Sequence, residues 1–282
     1  MIGAGTMGVG IAYVFAAAKW ETFVVEPSAE RIEQARSVIA KAARNGRDRG
    51  RLSSDDVARL EHDISYVKAT IDVPLGIDLA IETVPEQLDL KREVLRAVEA
   101  IEPAVLASNT SSLSIDELAI GLGRPERFLG MHFFNPVWSF SLVELVKGAA
   151  SDDQTMAAAL EAVASIGKQA AVVQDSPGFA TSRLDLIAAL EAIRMVEQGV
   201  GSPEDIDRAI QLAYRHPVGP LTLSDIVGLD VRLDIAHRLS ESLGDRFAPP
   251  QLLIDMVAAG KLGEKSGQGF YSWPLDIDAS RA

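Results

Sequence analysis

His132 and Glu144 are the first pair in this chain that could move a proton. Met131-His-Phe-Phe-Asn-Pro136 and Leu142-Val-Glu144 sit in two strand-like runs, 127–133 and 142–147, joined by a proline-containing loop. The short connection lets the second run fold back beside the first, which brings the carboxylate to the imidazole. A carboxylate at that place fixes the ring's tautomer and raises its proton affinity, as a general base requires. A histidine satisfied by backbone inside a strand is the plainer alternative for the same residue.

Gly3-x-Gly5-x-x-Gly8, with Thr6 and Met7 inside the turn, has the spacing that cradles a dinucleotide pyrophosphate. A helix-like run follows at 11–18. Glu26, at the end of the next strand, stands close to the ~20-residue spacing expected of a ribose-binding acid. Glycines let the backbone approach the pyrophosphate, and the helix N-terminus meets it with free N–H groups. A carboxylate at 26 accepts from both ribose hydroxyls and repels a 2′-phosphate, which favours NAD over NADP. A purely structural glycine turn is the competing reading. Ser108-Asn-Thr-Ser-Ser112 is a third polar cluster, directly after the strand-like run 104–107. The carboxyl end of a strand is where ligands sit in open α/β sheets, although a turn and helix cap would use the same residues.

These groups need a scaffold of alternating elements. Strands are predicted at 22–26, 77–82, 104–107, 127–133, 142–147 and 170–173. Helices are predicted at 28–45, 86–100 and 152–166, and Ser114-x-x-Glu117 reads as a capping box opening a short one. The alternation predicts an α/β fold, a Rossmann-type doubly wound and mostly parallel sheet. Strand-like runs stop after Asp175. Ser176-Pro177 reads as a helix start, and helical patterns follow at 178–198, 203–213, 221–243 and 249–260. The chain is therefore expected to divide into residues 1–175, a nucleotide-binding domain, and 176–282, an all-α domain. The apolar run 184–196 suits either an internal core helix or burial against a partner subunit.

The glycine turn should follow a buried strand, yet Met1 and Ile2 alone precede Gly3. Three readings compete: the numbered chain starts inside the natural protein, residues are missing from the sequence as written, or the strand is truncated. Two or three buried aliphatics at ~1.5–3 kcal/mol each, with their ladder hydrogen bonds, rival a domain's whole stability of ~5–15 kcal/mol. If residues 1–282 are complete, low stability, weak NAD affinity or rescue by dimerisation is expected.

Composition narrows the class. The 282 residues carry a net charge of −13 and are 48% hydrophobic. An acidic chain of this kind is not expected to bind nucleic acid. It has no cysteine, which excludes disulfides, thiol catalysis and thiolate metal sites. His62, His132, His216 and His237 lack the close spacing of a metal cluster. Residues 2–18 are uncharged but glycine-rich, without the basic start of a signal peptide or the length of a membrane span. A soluble, cytoplasmic protein with no membrane partner is expected.

GAGTMGxGIA, SNTSSLSI, MHFFNPV…LVE, DSPGF and HPVGPLTLSDIVGLD occur in this order over almost the whole chain. Together they resemble the L-3-hydroxyacyl-CoA dehydrogenase family, including the bacterial 3-hydroxybutyryl-CoA dehydrogenases. The resemblance implies a Rossmann domain, a helical C-terminal domain that forms a homodimer, and NAD-dependent oxidation of a 3-hydroxyl on an acyl-CoA, of short chain, to a ketone. It makes His132 the catalytic histidine, Glu144 its partner and Ser111 a substrate contact near the nicotinamide. It places Asn135, Glu86, Lys91 and Lys265 at the cofactor.

Two stretches depart from the family. PGFxxNR here reads Pro177-Gly-Phe-Ala-Thr-Ser182-Arg183, so the active-site asparagine falls on Ser182, whose hydroxyl donates but reaches less far. Val137-Trp-Ser-Phe140 places bulky Trp138 and Phe140 where smaller residues are usual. They are expected either to reshape the acyl pocket or to pack as core. Lys41, Arg44, Arg47, Arg49 and Arg51 form a local positive island where the family's CoA-contacting helix pair lies, and a solvated basic face is the alternative. A dehydrogenase of free 3-hydroxy acids and a non-catalytic dinucleotide-binding protein are the rival functions.

Overall fold

A computed structural model describes residues 1–274, and the chain forms two compact units that divide after Ser176. The N-terminal unit opens with α1 (Thr6–Ala17), β1 (Thr22–Val25), α2 (Ala29–Asp48), α3 (Ser54–His62) and β2 (Ile64–Val67). It continues with β3 (Leu79–Glu82), α4 (Leu88–Glu99), β4 (Val105–Ser108), α5 (Ile115–Ala119) and β5 (Phe128–Phe133). β6 (Leu142–Lys147), α6 (Asp153–Ser165) and β7 (Gln169–Gln174) complete it. β1 pairs with β2, β3 with β4 and β4 with β5, all in parallel. β6 runs antiparallel to β5 and parallel to β7. Every residue of β4 and β5 is buried, as expected of strands covered on both faces.

Ile2 bridges β1 and β3 and joins the two parts of the sheet. Its N–H donates to Ile81 O at 2.9 Å and its carbonyl accepts from Thr83 N at 2.8 Å. On the other side Val25 N reaches Met1 O at 2.8 Å and Gly3 N reaches Val25 O at 2.9 Å. The glycine turn is thereby held at the centre of the sheet by a parallel ladder of very short length.

The structure adds two elements that the sequence pattern left out. α3 carries a true capping box, with Ser53 and Asp56 bonded reciprocally, and buries Val57 and Leu60. β2 buries only Ile64 fully, and a lone inward residue has no period to read. α2 runs past Gly46 to Asp48, since that glycine keeps a helical conformation beside Leu52, which a Cβ would meet at 3.0 Å. At α5 half of the expected capping box forms. Ser114 Oγ accepts from Glu117 N, but it donates to Asp175, which also takes Asp116 N.

The second unit is helical, with α7 (Thr181–Glu197), α8 (Pro203–Tyr214), α9 (Pro220–Val227), α10 (Leu229–Leu243) and α11 (Gln251–Ala258). Leu186, Leu190, Ile193, Leu221, Leu229 and Leu253 form its core. Ser176-Pro177 does not open α7. The chain first turns through Gly178 and Phe179, at φ 74° and 48°, and the helix begins at Thr181 behind an Ala180 cap that lends no side-chain bond. The expected helix 221–243 breaks at Gly228, whose φ of 103° is outside any helix.

Two buried acids fasten this unit. Asp207 accepts from Leu221 N, Thr222 N and Tyr271 Oη. Burial, reinforced by that bond to Asp207, raises the Tyr271 phenol well above its ordinary pKa. Asp225, fully buried, accepts from Phe270 N at 3.0 Å, Tyr271 N at 2.9 Å and Trp273 Nε1 at 2.8 Å. Each orphaned buried donor costs ~1–3 kcal/mol. Asp225→Ala is therefore expected to destabilise the unit by about 3 kcal/mol or more, seen as a lower melting temperature and faster proteolysis around residues 263–274.

Candidate active site

Antiparallel pairing of β5 with β6 sets His132 directly opposite Glu144. Their flanking residues Met131, Phe133, Val143 and Leu145 are apolar and buried, so the pair's register follows from the sheet's own packing. Imidazole Nδ1 lies 2.8 Å from Glu144 Oε2. The glutamate side chain is 0% exposed and the imidazole 9%. An ionised carboxylate can only accept, and a contact of this kind selects the tautomer with the proton on Nδ1. The Phe134 ring packs against the imidazole with centroids 4.4 Å apart.

The polar loop after β4 is organised by two acids from the β3–α4 corner. Glu82, fully buried, takes Lys91 Nζ at 2.9 and 3.1 Å, Ser108 Oγ at 2.6 Å and Val84 N at 2.6 Å. Burial pushes its carboxyl above the usual range, while Lys91 and Ser108 pull it back. Lys91 also donates to Asn109 O at 3.1 Å, and Asn109 Oδ1 accepts from Phe133 N at 2.9 Å. The loop is thus tied to the residue after His132. Glu86 Oε1 accepts from Ser111 N at 3.1 Å, Ser112 N at 3.3 Å and the Thr110 hydroxyl.

Lys91, expected at the cofactor, is itself 0% exposed, and its ammonium is spent on Glu82 and Asn109 with Glu86 at 3.5 Å. It supports the loop from beneath, because a buried ammonium is stable only against a paired carboxylate. Sequence reasoning missed Glu82 and named Asn109 only as part of the Ser108–Ser112 cluster. The signal for Glu82 was an acid ending the apolar run IDLAIE with a lysine nine residues on.

Gly3 adopts φ 99°, in the region that favours glycine. A Cβ at Gly8 would stand 2.0 Å from Gly3 O, whereas Gly5 faces open space. Gly5 caps α1 without any side-chain bond, which leaves the first N–H groups of the helix, at exposed Thr6 and half-buried Met7, available to an anion. Glu26 is 6% exposed and accepts from Ala4 N at 3.1 Å and Ser28 N at 3.0 Å. Its carboxylate ties the glycine turn to β1 and retains lone pairs for further donors. A close-approach turn, an uncapped helix and an acid at the strand end fit a dinucleotide.

Asn135 is exposed and precedes Pro136 through a cis peptide bond. Ser182 and Lys265 belong to the helical unit. Ser182 is half-buried in the first turn of α7, and Lys265 pairs with Asp230 at 2.5 Å, holding that carboxyl below the usual range by its hydrogen bond. Among the described residues no group of three or more His, Cys, Asp or Glu side chains could hold a metal, and no helix is long and apolar enough to cross a membrane.

Removing one partner of a buried pair costs more than removing both, typically ~3–5 kcal/mol. Glu82→Gln should lower stability by about that amount, and Lys91→Met added to it should recover most of the loss in a double-mutant cycle of melting curves.

Residues 1–176 match the profile described as 3-hydroxyacyl-CoA dehydrogenase, NAD binding domain, and residues 178–273 match the C-terminal domain of the same family. The 3-hydroxybutyryl-CoA dehydrogenase of Bradyrhizobium diazoefficiens is 41% identical over 97% of this chain and 94% of its own length. The enzyme of that name from Mycobacterium tuberculosis is 39% identical over 97% of both chains. The crystal structure of (S)-3-hydroxybutyryl-CoA dehydrogenase from Ralstonia eutropha superposes with a TM-score of 0.92 at 36% identity, over 97% of each chain. A nucleotide turn, a buried His–Glu pair and full-length likeness coincide in one molecule: the chain belongs to the 3-hydroxyacyl-CoA dehydrogenase family.

Proposed function

We propose that this protein oxidises L-3-hydroxyacyl-CoA to 3-ketoacyl-CoA with His132 as the general base. The observation that carries this reading is the 2.8 Å contact between His132 Nδ1 and the buried Glu144 carboxylate, which makes Nε2 the basic nitrogen for the 3-hydroxyl proton. NAD, when bound at the glycine turn, supplies the hydride acceptor. Glu144 stabilises the imidazolium that forms as the proton arrives. Ser111, exposed on the loop that Glu86 holds, donates to the substrate oxygen. Glu26 accepts from the ribose, and Asn135, Glu86 and Lys265 contribute to the cofactor site, with Lys91 acting through Glu82 and Glu86. Ser182 supplies a hydroxyl where the family has an asparagine. The similarity to 3-hydroxybutyryl-CoA dehydrogenases supports a short acyl chain, and the basic stretch from Lys41 to Arg51 supports a polyanionic CoA. The cysteine-free composition suits a cytoplasmic enzyme.

NADH oxidation should follow acetoacetyl-CoA and not free acetoacetate; the reverse preference would overturn the CoA assignment. His132→Gln should lower kcat by ~10²–10⁴-fold with the melting temperature kept, and Glu144→Gln should lower it less.

The helical unit also exposes Leu184, Val200, Leu212 and Tyr214, each more than half accessible, and we propose that this surface joins two copies into a homodimer. Light scattering should report a dimer for the wild type and a monomer for Leu212→Asp combined with Tyr214→Ser.

A further inference from the structure

Thr83 follows Glu82 directly after β3. Glu82 spends its carboxylate on Lys91 and Ser108, whereas half-buried Thr83 spends its hydroxyl on the glycine turn. That hydroxyl donates to Ile2 O at 2.9 Å and reaches Gly3 O at 3.3 Å. The Thr83 N–H donates to the same Ile2 carbonyl at 2.8 Å. One residue therefore holds the carbonyl that leads into the turn twice, by backbone and by side chain. Neither the glycine spacing nor the acid at position 26 points to it.

Contacts around that hydroxyl are close. Its oxygen lies 3.2 Å from the place a Cβ on Gly3 would take and 2.6 Å from the place of one on Gly8. It stands where Ile2, Gly3 and the first turn of α1 converge. Ile2 meets β1 and β3 through isolated bridges, so few ladder bonds hold the turn and one side-chain donor counts for more. The N–H groups at the start of α1, at Thr6 and Met7, can serve a pyrophosphate only where the turn aims them. A donor on two carbonyls beside an anion site also offsets the negative ends of their dipoles.

We infer that Thr83 is a positioning residue for the dinucleotide: its hydroxyl sets the glycine turn where the pyrophosphate meets the N–H groups of α1. The inference goes beyond the cofactor assignment by naming a hydroxyl outside the glycine motif, at the end of β3, as a determinant of affinity. Thr83 acts through the turn, so it governs binding of the dinucleotide and leaves proton transfer at His132 as it is. Losing one net hydrogen bond of this kind changes affinity by about three- to tenfold. Valine is the harsher replacement. It puts a methyl group where the oxygen now stands 2.9 Å from Ile2 O, inside the usual carbon–oxygen approach of about 3.3 Å, and so pushes the turn away.

The test titrates NADH into the whole protein by fluorescence, with ADP-ribose and adenosine as competitors. Thr83→Ala should weaken NADH and ADP-ribose alike, by about three- to tenfold. Adenosine, which has no pyrophosphate, should stay within about twofold of the wild type. Thr83→Val should weaken the first two further, and Thr83→Ser, which keeps the hydroxyl, should bind as the wild type does. In turnover with acetoacetyl-CoA, Thr83→Ala should raise KM for NADH and leave kcat and its pH profile unchanged. A general loosening of the domain would weaken adenosine equally and would not be repaired by serine; either result overturns the inference. So does NADH affinity that is unchanged in Thr83→Ala. If Thr83→Val does not fold, the alanine and serine variants decide. Binding is read without turnover, so a wild type that binds NADH but turns over no acyl-CoA sinks the dehydrogenase reading alone, and the titrations still decide the role of Thr83.

Discussion

A buried carboxylate sets the geometry of the N-terminal unit. Glu82 has no exposure, and a bare charge there would cost several kcal/mol. It is kept by donors from three directions: Lys91 from α4, Ser108 from the end of β4 and the backbone of Val84. Satisfying it fixes the distance between β3, β4 and α4, and with them the start of the polar loop. Burial still raises its carboxyl despite those donors, so desolvation is the larger effect. The network continues through Lys91 to Asn109 and from Asn109 to Phe133. A structural ion pair and the residue beside His132 thus share one set of hydrogen bonds.

The His–Glu pair depends on a second constraint, strand register. His132 faces Glu144 across an antiparallel ladder, and a slip of one residue would carry the carboxylate to the opposite face of the sheet. Such a slip would also take Val143 and Leu145, now fully buried, out of the packing they make. Apolar packing on the strand therefore protects the polar pair. Side chains on strands are held more rigidly than on loops, and the Nδ1 contact of 2.8 Å needs no loop to close it.

Charge is distributed against the average. The chain carries −13, yet the uncapped N-terminus of α1 and a cavity lined by Arg49, Arg51 and Lys168 both present positive potential. The acids that matter are turned inward and satisfied: Glu26 by the glycine turn, Glu82 by Lys91, and Asp207 and Asp225 by the backbone of the helical unit. A polyanionic ligand meets the exceptions to the overall charge, not the charge itself.

Local pattern was enough for much of this. The glycine spacing, the alternation of strands and helices and the fold-back that sets His132 opposite Glu144 are short-range features, because periodicity and turn chemistry act over a few residues. What needed the tertiary structure was long-range. Ile2 completes the sheet with backbone bonds to β1 and β3, which no side-chain pattern encodes. Lys91 carries a motif position suited to a ligand, yet burial against Glu82 takes it out of reach. Gly228 breaks a helix whose apolar period runs straight through it, at a φ of 103°, and a Cβ there would stand 3.0 Å from Asp230 and 3.2 Å from Lys265. Trp138 and Phe140 read equally as core or as pocket lining, and in the structure both are partly exposed at one cavity. Sequence alone determines which groups are able to do chemistry; burial and partners from distant segments decide which of them are free to do it.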